Sequence, residues 1–347
     1  MEISCTVTIL GTECDAQTTY LDLSAMKSGD VAEFVEKLPL LPALEEIQLM
    51  DANGQSSLTK EDVRTLQQAA PGVVFHYSFD FYGVTLSTAD EEVHIVSKRI
   101  GDEGEGEIRL ALDIMTNCKR FVLEYCSVSN DVLAQIRDDY RDRTKVVWRV
   151  FFGGGSTMTD AEVIRCTYDL YDDNSHDLYY CEDVRFADFG HNEFLDSVDF
   201  VAGMKSLEMI IISGAPVKDL TPFAQCKNLK ILEAAFCNYI EDITPLAQCE
   251  SLEMVNISYT QVKDLSPLDE LNLTNVCVMY EGKSRVPVEE QERFRALKPD
   301  CEMHFVGDQP YGSVWRYDKQ NNKRPWYQEI CNAFRYPDPP NNVGWYL

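Results

Sequence analysis

Three consecutive segments of the chain align almost without gaps. They are LEMIIISGAPVKDLTPFAQCKN from Leu207, LKILEAAFCNYIEDITPLAQCES from Leu229 and LEMVNISYTQVKDLSPLDELN from Leu252. Their opening residues lie 22 and 23 apart, and the next unit opens at Leu273 after 21 more. A fourth segment, VRFADFGHNEFLDSVDFVAGMKS from Val184, fits the same frame. A fixed period of this length constrains the fold more than any other property, because units that cannot bury their own apolar face must stack on their neighbours. One unit buries about five large side chains, each contributing roughly 1.5–3 kcal/mol. Ordering its backbone costs on the order of 1–2 kcal/mol per residue. Only neighbours on both sides close that deficit.

Each unit opens with L-x-x-L-x-L, a short strand whose alternate residues face one side. A turn follows, and Val217, Ile240 and Val262 then point back inward. The units close with Asp219-Leu220-Thr221-Pro222, Asp242-Ile243-Thr244-Pro245 and Asp264-Leu265-Ser266-Pro267. The proline sits where no ladder donor is needed. The pattern continues in looser form toward both ends. TTYLDLS (18–24) and LEEIQLMD (44–51) read as strands, with a helix over Asp30–Leu38 between them. Thr59 reads as the N-cap of a helix ended by Pro71-Gly72. VVFHYSFDF (73–81) reads as the next strand. LTKEDVRTLQQAAPGVVFHYSFDFYG is echoed about 70 positions on by VSNDVLAQIRDDYRDRTKVVWRVFFGG. The acidic stretches Asp90–Gly106 and Tyr168–Tyr180 read as loops or insertions. Pro287–Leu297 reads as a helix, and Cys301–Asp308 as a last strand. The remainder, with Trp315, Trp326, Tyr327 and Phe334, is expected to fold over the open end of the sheet, since an array needs its sticky edge covered.

The motif LxxLxLxxN followed by I-x-D-[IL]-[ST]-P-L resembles bacterial leucine-rich-repeat proteins with internalin-like units. TTYLDLS, KVVWRVFFGG, DFGHN, Trp315-Arg316 and Pro325-Trp326-Tyr327 together resemble uncharacterised repeat proteins of gut Firmicutes. The resemblance implies an α/β leucine-rich-repeat solenoid, a horseshoe with a parallel sheet on its concave face. It also implies protein–protein interaction, and the family motif carries no catalytic residue. His191-Asn192 keeps the family's asparagine, whereas Pro216, Asn238 and Gln261 fall at or near the turn of the following units. The expected organisation is an N-terminal cap over 1–17, longer irregular repeats over 18–183, regular repeats over 184–282, and a last repeat with a cap over 283–347.

In this frame the third, fifth and seventh residues of each unit face the concave surface. The third position gives Phe186, Met209, Ile231, Met254 and Asn275, and the fifth Asp188, Ile211, Glu233, Asn256 and Cys277. The seventh gives Gly190, Ser213, Ala235, Ser258 and Met279. A row of exposed Phe, Met and Ile marks an interaction site. The expected site is therefore Phe186, Asp188, Met209, Ile211, Ile231, Glu233, Met254 and Asn256. Replacing Met209, Ile231 and Met254 together by Asp is expected to abolish partner capture without unfolding the chain. The expected function is a non-catalytic scaffold that binds a protein partner. The alternatives are an enzyme with its site in residues 90–180, or a structural spacer.

Chemistry is otherwise sparse. The five histidines, His76, His94, His176, His191 and His304, form no metal-ligand spacing. Gly153-Gly154-Gly155-Ser156-Thr157 lacks the lysine of a phosphate-binding loop and reads as a turn. Asp169–Asp177 is rich in oxygen ligands for calcium but lacks the glycine and terminal glutamate of an EF-hand loop. No cofactor or metal is expected. Trp148 and Trp315 read as core residues rather than a ligand box. The twelve cysteines contain no CxxC and read as reduced, buried thiols, with Cys226 and Cys249 stacked at matching positions. Cys5 and Cys14 are the one pair that could bridge. The formal charge of −27 disfavours nucleic acid and anionic membranes and fits plain solubility or a basic protein partner. No run approaches the roughly 20 apolar residues of a membrane span, and no signal peptide is visible. The expectation is a cytoplasmic monomer, or a secreted or surface protein if the start is truncated.

Overall fold

The computed structural model describes residues 6–307 and 309–336. The chain forms two compact units, Met1–Trp148 and Arg149–Leu347.

In the second unit seven three-residue strands stack into one parallel sheet: Val163–Arg165, Phe186–Asp188, Met209–Ile211, Ile231–Glu233, Met254–Asn256, Asn275–Cys277 and Glu302–His304. The register pairs Phe186 with Met209, Met209 with Ile231, Ile231 with Met254 and Met254 with Asn275. Asp188, Ile211, Glu233, Asn256 and Cys277 follow as the parallel row. Both columns are the third and fifth positions read from the sequence. The middle residue of each strand points the other way, and Ile164, Ala187, Ile210, Leu232, Val255 and Val276 are all buried. Leu207, Leu229 and Leu252 are buried with them, so successive coils share one interior.

Each strand leaves the sheet through a residue in the left-handed region: His191, Gly214, Phe236 and Tyr259 have φ between 60° and 80°. Their N–H groups keep the ladder running by donating to the carbonyls of Ser213, Ala235, Ser258 and Met279. The next residue fills the asparagine position. Asn192 is fully buried, donates to the carbonyls of Cys166 and Phe189, and accepts from Leu170 N–H. The equivalents in the following coils are Ala215, Cys237 and Thr260, one residue before Pro216, Asn238 and Gln261. The Cys237 thiol donates to Ile212 and the Thr260 hydroxyl to Ile257, so the polar role survives without the amide.

The far side of each coil is a 3₁₀ turn: Asp199–Gly203, Thr221–Gln225, Thr244–Gln248 and Ser266–Leu268. The closing motif explains them. Asp219, Asp242 and Asp264 each accept the N–H two residues on, at 2.7–2.8 Å. Pro222, Pro245 and Pro267 occupy the first helical turn, where a missing N–H costs nothing. Cys226 and Cys249 stack beneath, each donating to a carbonyl of the preceding coil. Burial pushes both thiols up to about 12, so they remain protonated hydrophobes.

The first unit winds longer coils. Strands Tyr20–Asp22, Glu46–Gln48 and Val74–His76 pair in parallel at spacings of 26 and 28 residues. Helices Val31–Lys37 and Lys60–Ala69 fill the intervals. Thr59 caps the second helix and Asp62 reaches back to its N–H, a complete capping box. Strands Glu92–Val96 and Arg120–Glu124 pair in parallel, and Lys145–Trp148 adds to them; helices Glu105–Ile114 and Asn130–Tyr140 lie between. Trp148 is buried and donates to Asn130.

Several sequence expectations change here. Residues 73–81 are two strands, because Ser78–Phe81 leaves the parallel sheet to form a hairpin with Val84–Ser87. The echo 71 residues on repeats this device, with Arg149–Phe152 paired to Gly155–Met158 across the glycine run. Asp90–Gly106 is no loop. It holds the strand Glu92–Val96, whose Val93 and Ile95 point inward while Glu92, His94 and Val96 face solvent. Acidic flanks hid that alternation. Tyr168–Tyr180 forms two 3₁₀ turns over buried Leu170 and Leu178. Its Asp172 carboxylate accepts the N–H groups of Asp196 and Ser197, both at 2.9 Å. Among the described residues no group of three His, Cys, Asp or Glu side chains could hold a metal ion. No helix among them is long and apolar enough to cross a membrane. Cys5 lies outside the described residues, and Cys14 is a buried free thiol.

Candidate interaction surface

The outward columns of the second unit's sheet are arranged as the sequence implied, but they are not open to solvent. Residues 309–336 lie across the face. This segment forms a short turn over Gly312–Arg316, an antiparallel bridge between Tyr317 and Lys323, and a helix over Pro325–Phe334. It covers the face of the sheet rather than its end. The cause is in the columns: an apolar row this wide gains more from being covered than the half-buried last strand, Glu302–His304, does.

The apolar contacts fall in two clusters. Met209 and Ile211 pack on Ile330 and Phe334 from the segment's helix, with Phe186, Ile231, Trp326, Tyr327 and Tyr336 around them. Met254 and Cys277 pack on Trp315, with Ile231, Tyr311, Val314 and Trp326 around them. Met209 and Met254 are only 2% and 8% exposed. Their expected exposure is therefore overturned, which bears on the aspartate substitutions at Met209, Ile231 and Met254. Those substitutions would put charge beneath a docked segment.

The polar contacts centre on Glu233, which is completely buried. Its Oε2 accepts from Trp315 Nε1 at 2.6 Å and Arg316 Nε at 3.1 Å, and its Oε1 pairs with Arg316 Nη2. Ser213 Oγ adds a donor at 3.2 Å. Burial alone would favour neutral Arg316, but the adjacent Glu233 carboxylate outweighs it and drives the guanidinium pKa upward. Two more carboxylates repeat the theme toward either end of the sheet. Asp188 accepts the Tyr336 hydroxyl and Gly190 N–H, with Arg165 at 3.6 Å. Glu302 pairs with Arg324 at 2.9 Å. Burial and then Asp188 raise the Tyr336 hydroxyl, as burial and then Glu233 raise Tyr311. Asn256 and Asn275 donate to the carbonyls of Pro310 and Val314.

All eight site residues read from the sequence thus lie on one face and within two columns. A tail covering the row is the alternative to an exposed site in the sequence reading, and residues 309–336 take that place. The available signal was Glu233, a carboxylate inside an otherwise apolar neighbourhood, which demands a cation. Residues 309–336 carry five cationic side chains against two anionic ones, in a chain of net charge −27.

Beside the face, a cleft of about 360 Å³ is lined by Arg185, Ser206, Glu208, Asn228, Lys230 and Ser251. Its charges neutralise one another, because Glu208 receives Arg185 at 2.6 Å and Lys230 at 2.7 Å.

In-register coils of 21–23 residues, with an inward leucine position, a left-handed exit and a 3₁₀ return, make the second unit a leucine-rich-repeat solenoid. Its Asp-x-[Ser/Thr]-Pro coils resemble those of internalin-like repeats. No known family matches the chain, and no curated protein sequence matches it either. Similar solved structures include an internalin, InlF, from Listeria monocytogenes, at 14% identity over 79% of each chain with a TM-score of 0.33. Internalin C2 of the same species is 18% identical, over 62% of this chain and 91% of that one, with a TM-score of 0.27. A leucine-rich-repeat protein of Leptospira interrogans is 14% identical, over 78% and 74%, with a TM-score of 0.32.

Proposed function

We propose that the chain is a non-catalytic interaction scaffold that recognises a protein partner through the sheet face of its second unit. Phe186, Asp188, Met209, Ile211, Ile231, Glu233, Met254 and Asn256 form the recognition surface. One observation carries the reading: this face already holds a 28-residue polypeptide segment, by two apolar clusters and three carboxylate anchors. A surface that binds polypeptide in cis has the shape and chemistry to do so in trans. The sulfhydryls support a non-catalytic role, since burial raises Cys226, Cys237 and Cys249 to about 12, far above a reactive thiol.

The test uses photo-crosslinking residues at the half-buried rim positions Phe186 and Ile231, and at exposed Lys263 on the turn side. Adducts with one partner from the rim alone, reproduced with that partner purified, are the expected result. Adducts confined to Lys263 would move recognition off the sheet face.

A further inference from the structure

We propose that the sheet face of the second unit is selective for basic polypeptide segments carrying adjacent tryptophan and arginine, and that residues 309–336 are its resident occupant, displaced by a partner presenting the same chemistry. The proposal rests on the scaffold reading and specifies the ligand class.

The selectivity follows from Glu233. Three of its donor contacts come from two neighbouring residues, Trp315 Nε1 and Arg316 Nε and Nη2. With the face open, that carboxylate is hydrated and costs nothing. Once covered, it is fully desolvated, and an occupant without a cation would strand it as an unpaired buried charge. A purely apolar segment is therefore rejected by the group that anchors the right one. Trp315 is buried, meets Trp326 in a tilted ring contact at 5.2 Å and packs with Met254 and Cys277, so the indole supplies both bulk and donor. Asp188 and Glu302 extend the acidic track along the sheet and match the segment's excess of positive charge.

The manner of attachment allows exchange. Among the described residues, no backbone-to-backbone hydrogen bond joins residues 309–336 to the coils. The segment's backbone bonds are its own, such as Trp315 N–H to Tyr311, Arg324 N–H to Arg316 and Tyr336 N–H to Cys331. Main-chain carbonyls of the segment accept from the Asn256, Asn275 and Cys277 side chains. Release therefore leaves the parallel ladder intact. A tethered occupant has an effective concentration on the order of millimolar, which sets the affinity a competitor must exceed.

The experiment uses the full chain and a fluorescent synthetic peptide with the sequence of residues 309–336. Arg316→Ala in the chain weakens the tethered occupant but leaves Glu233 and the rest of the face in place. The peptide should bind this variant at least tenfold more tightly than the unsubstituted chain. Adding Glu233→Gln to the chain, or placing Trp315→Ala or Arg316→Ala in the peptide, should each reverse the gain tenfold or more. Hydrogen exchange at Leu232 and Val255 checks that the coils remain folded. If Arg316→Ala disturbs them, Trp315→Phe, which removes the indole donor and part of the ring volume, replaces it. Equal binding to both chains, indifference to Glu233→Gln, or equal binding of a scrambled peptide would each overturn the proposal. The rim crosslinks are read without the peptide, so their survival alongside such a result would leave the scaffold reading standing and remove only this ligand class.

Discussion

In the first unit the outward strand positions Tyr20, Asp22, Glu46, Val74, Glu92, His94 and Val96 are exposed, whereas Val122, Glu124 and Val147 further along the second sheet are buried. The equivalent positions in the second unit hold Met209, Ile211, Glu233, Met254 and Asn256, and all five are buried. The two parallel sheets of the first unit and the one of the second are all short-stranded, so backbone geometry does not separate them. Side-chain character does. The exposed positions there carry cross-strand pairs such as Glu46–His76 and Glu92–Arg120. Water screens such pairs, and each is worth little. The covered sheet concentrates its polar contacts on three carboxylates with committed partners. A sheet face without pairing partners of its own needs a cover, and the chain supplies one.

The sharpest way to break this contrast is to remove one carboxylate from each face. Glu233→Ala strands Arg316 and the Trp315 indole, and should cost about 3–5 kcal/mol in urea unfolding followed by tryptophan fluorescence. Glu92→Ala, on the open face, should cost no more than about 1 kcal/mol. Similar losses at the two sites would erase the distinction. The next effect concerns apolar cover. Ile330 is fully buried against Met209 and Ile211, and Ile330→Ala should cost about 3 kcal/mol. Val74→Ala, at a 39% exposed position of the open sheet, should stay within about 0.5 kcal/mol. Thermal melts of the two variants side by side measure the difference.

The smallest effect depends on pH. Hydrogen bonds from Arg185 and then Lys230 hold the Glu208 carboxyl below the usual carboxylate range. A depressed folded-state pKa stabilises the protein above the unfolded value of about 4.3, and that contribution fades as the pH falls through the folded value. The Glu208 side chain is about one-fifth exposed, so the gain is at most about 1 kcal/mol. Glu208→Gln should therefore lower stability at neutral pH and flatten the acid side of the stability profile. An unchanged acid limb would show that the ladder beside the covered face is as weak as the pairs on the open one.

The repeat was legible because periodicity records which side chains must share an interior. Leu207, Leu229 and Leu252 fixed the register, and the third and fifth columns followed. Local chemistry was legible too: Thr59 with Asp62, and each Asp-x-[Ser/Thr]-Pro turn, act within a few residues. The position of 309–336 was not, because its decisive contact joins Glu233 to a residue 83 positions away. No period or short motif encodes such a pair. Trp315-Arg316 stood out as a feature of the tail, yet only the coordinates bring it to Glu233. The strand Glu92–Val96 was missed for the opposite reason. Its alternation is clear over five residues, but the acidic flanks suggested solvent.

That 83-residue separation also sets an order of events during synthesis. At roughly 5–20 residues per second, translation makes Glu233 about 4–17 s before Arg316. The coils can wind and join as they emerge, since each needs only its neighbours. Their apolar strip then waits, uncovered and acidic at its centre, until the ribosome delivers the residues that close it. A nascent chain stalled after Glu302 but before Arg316 would display the whole sheet face with nothing on it.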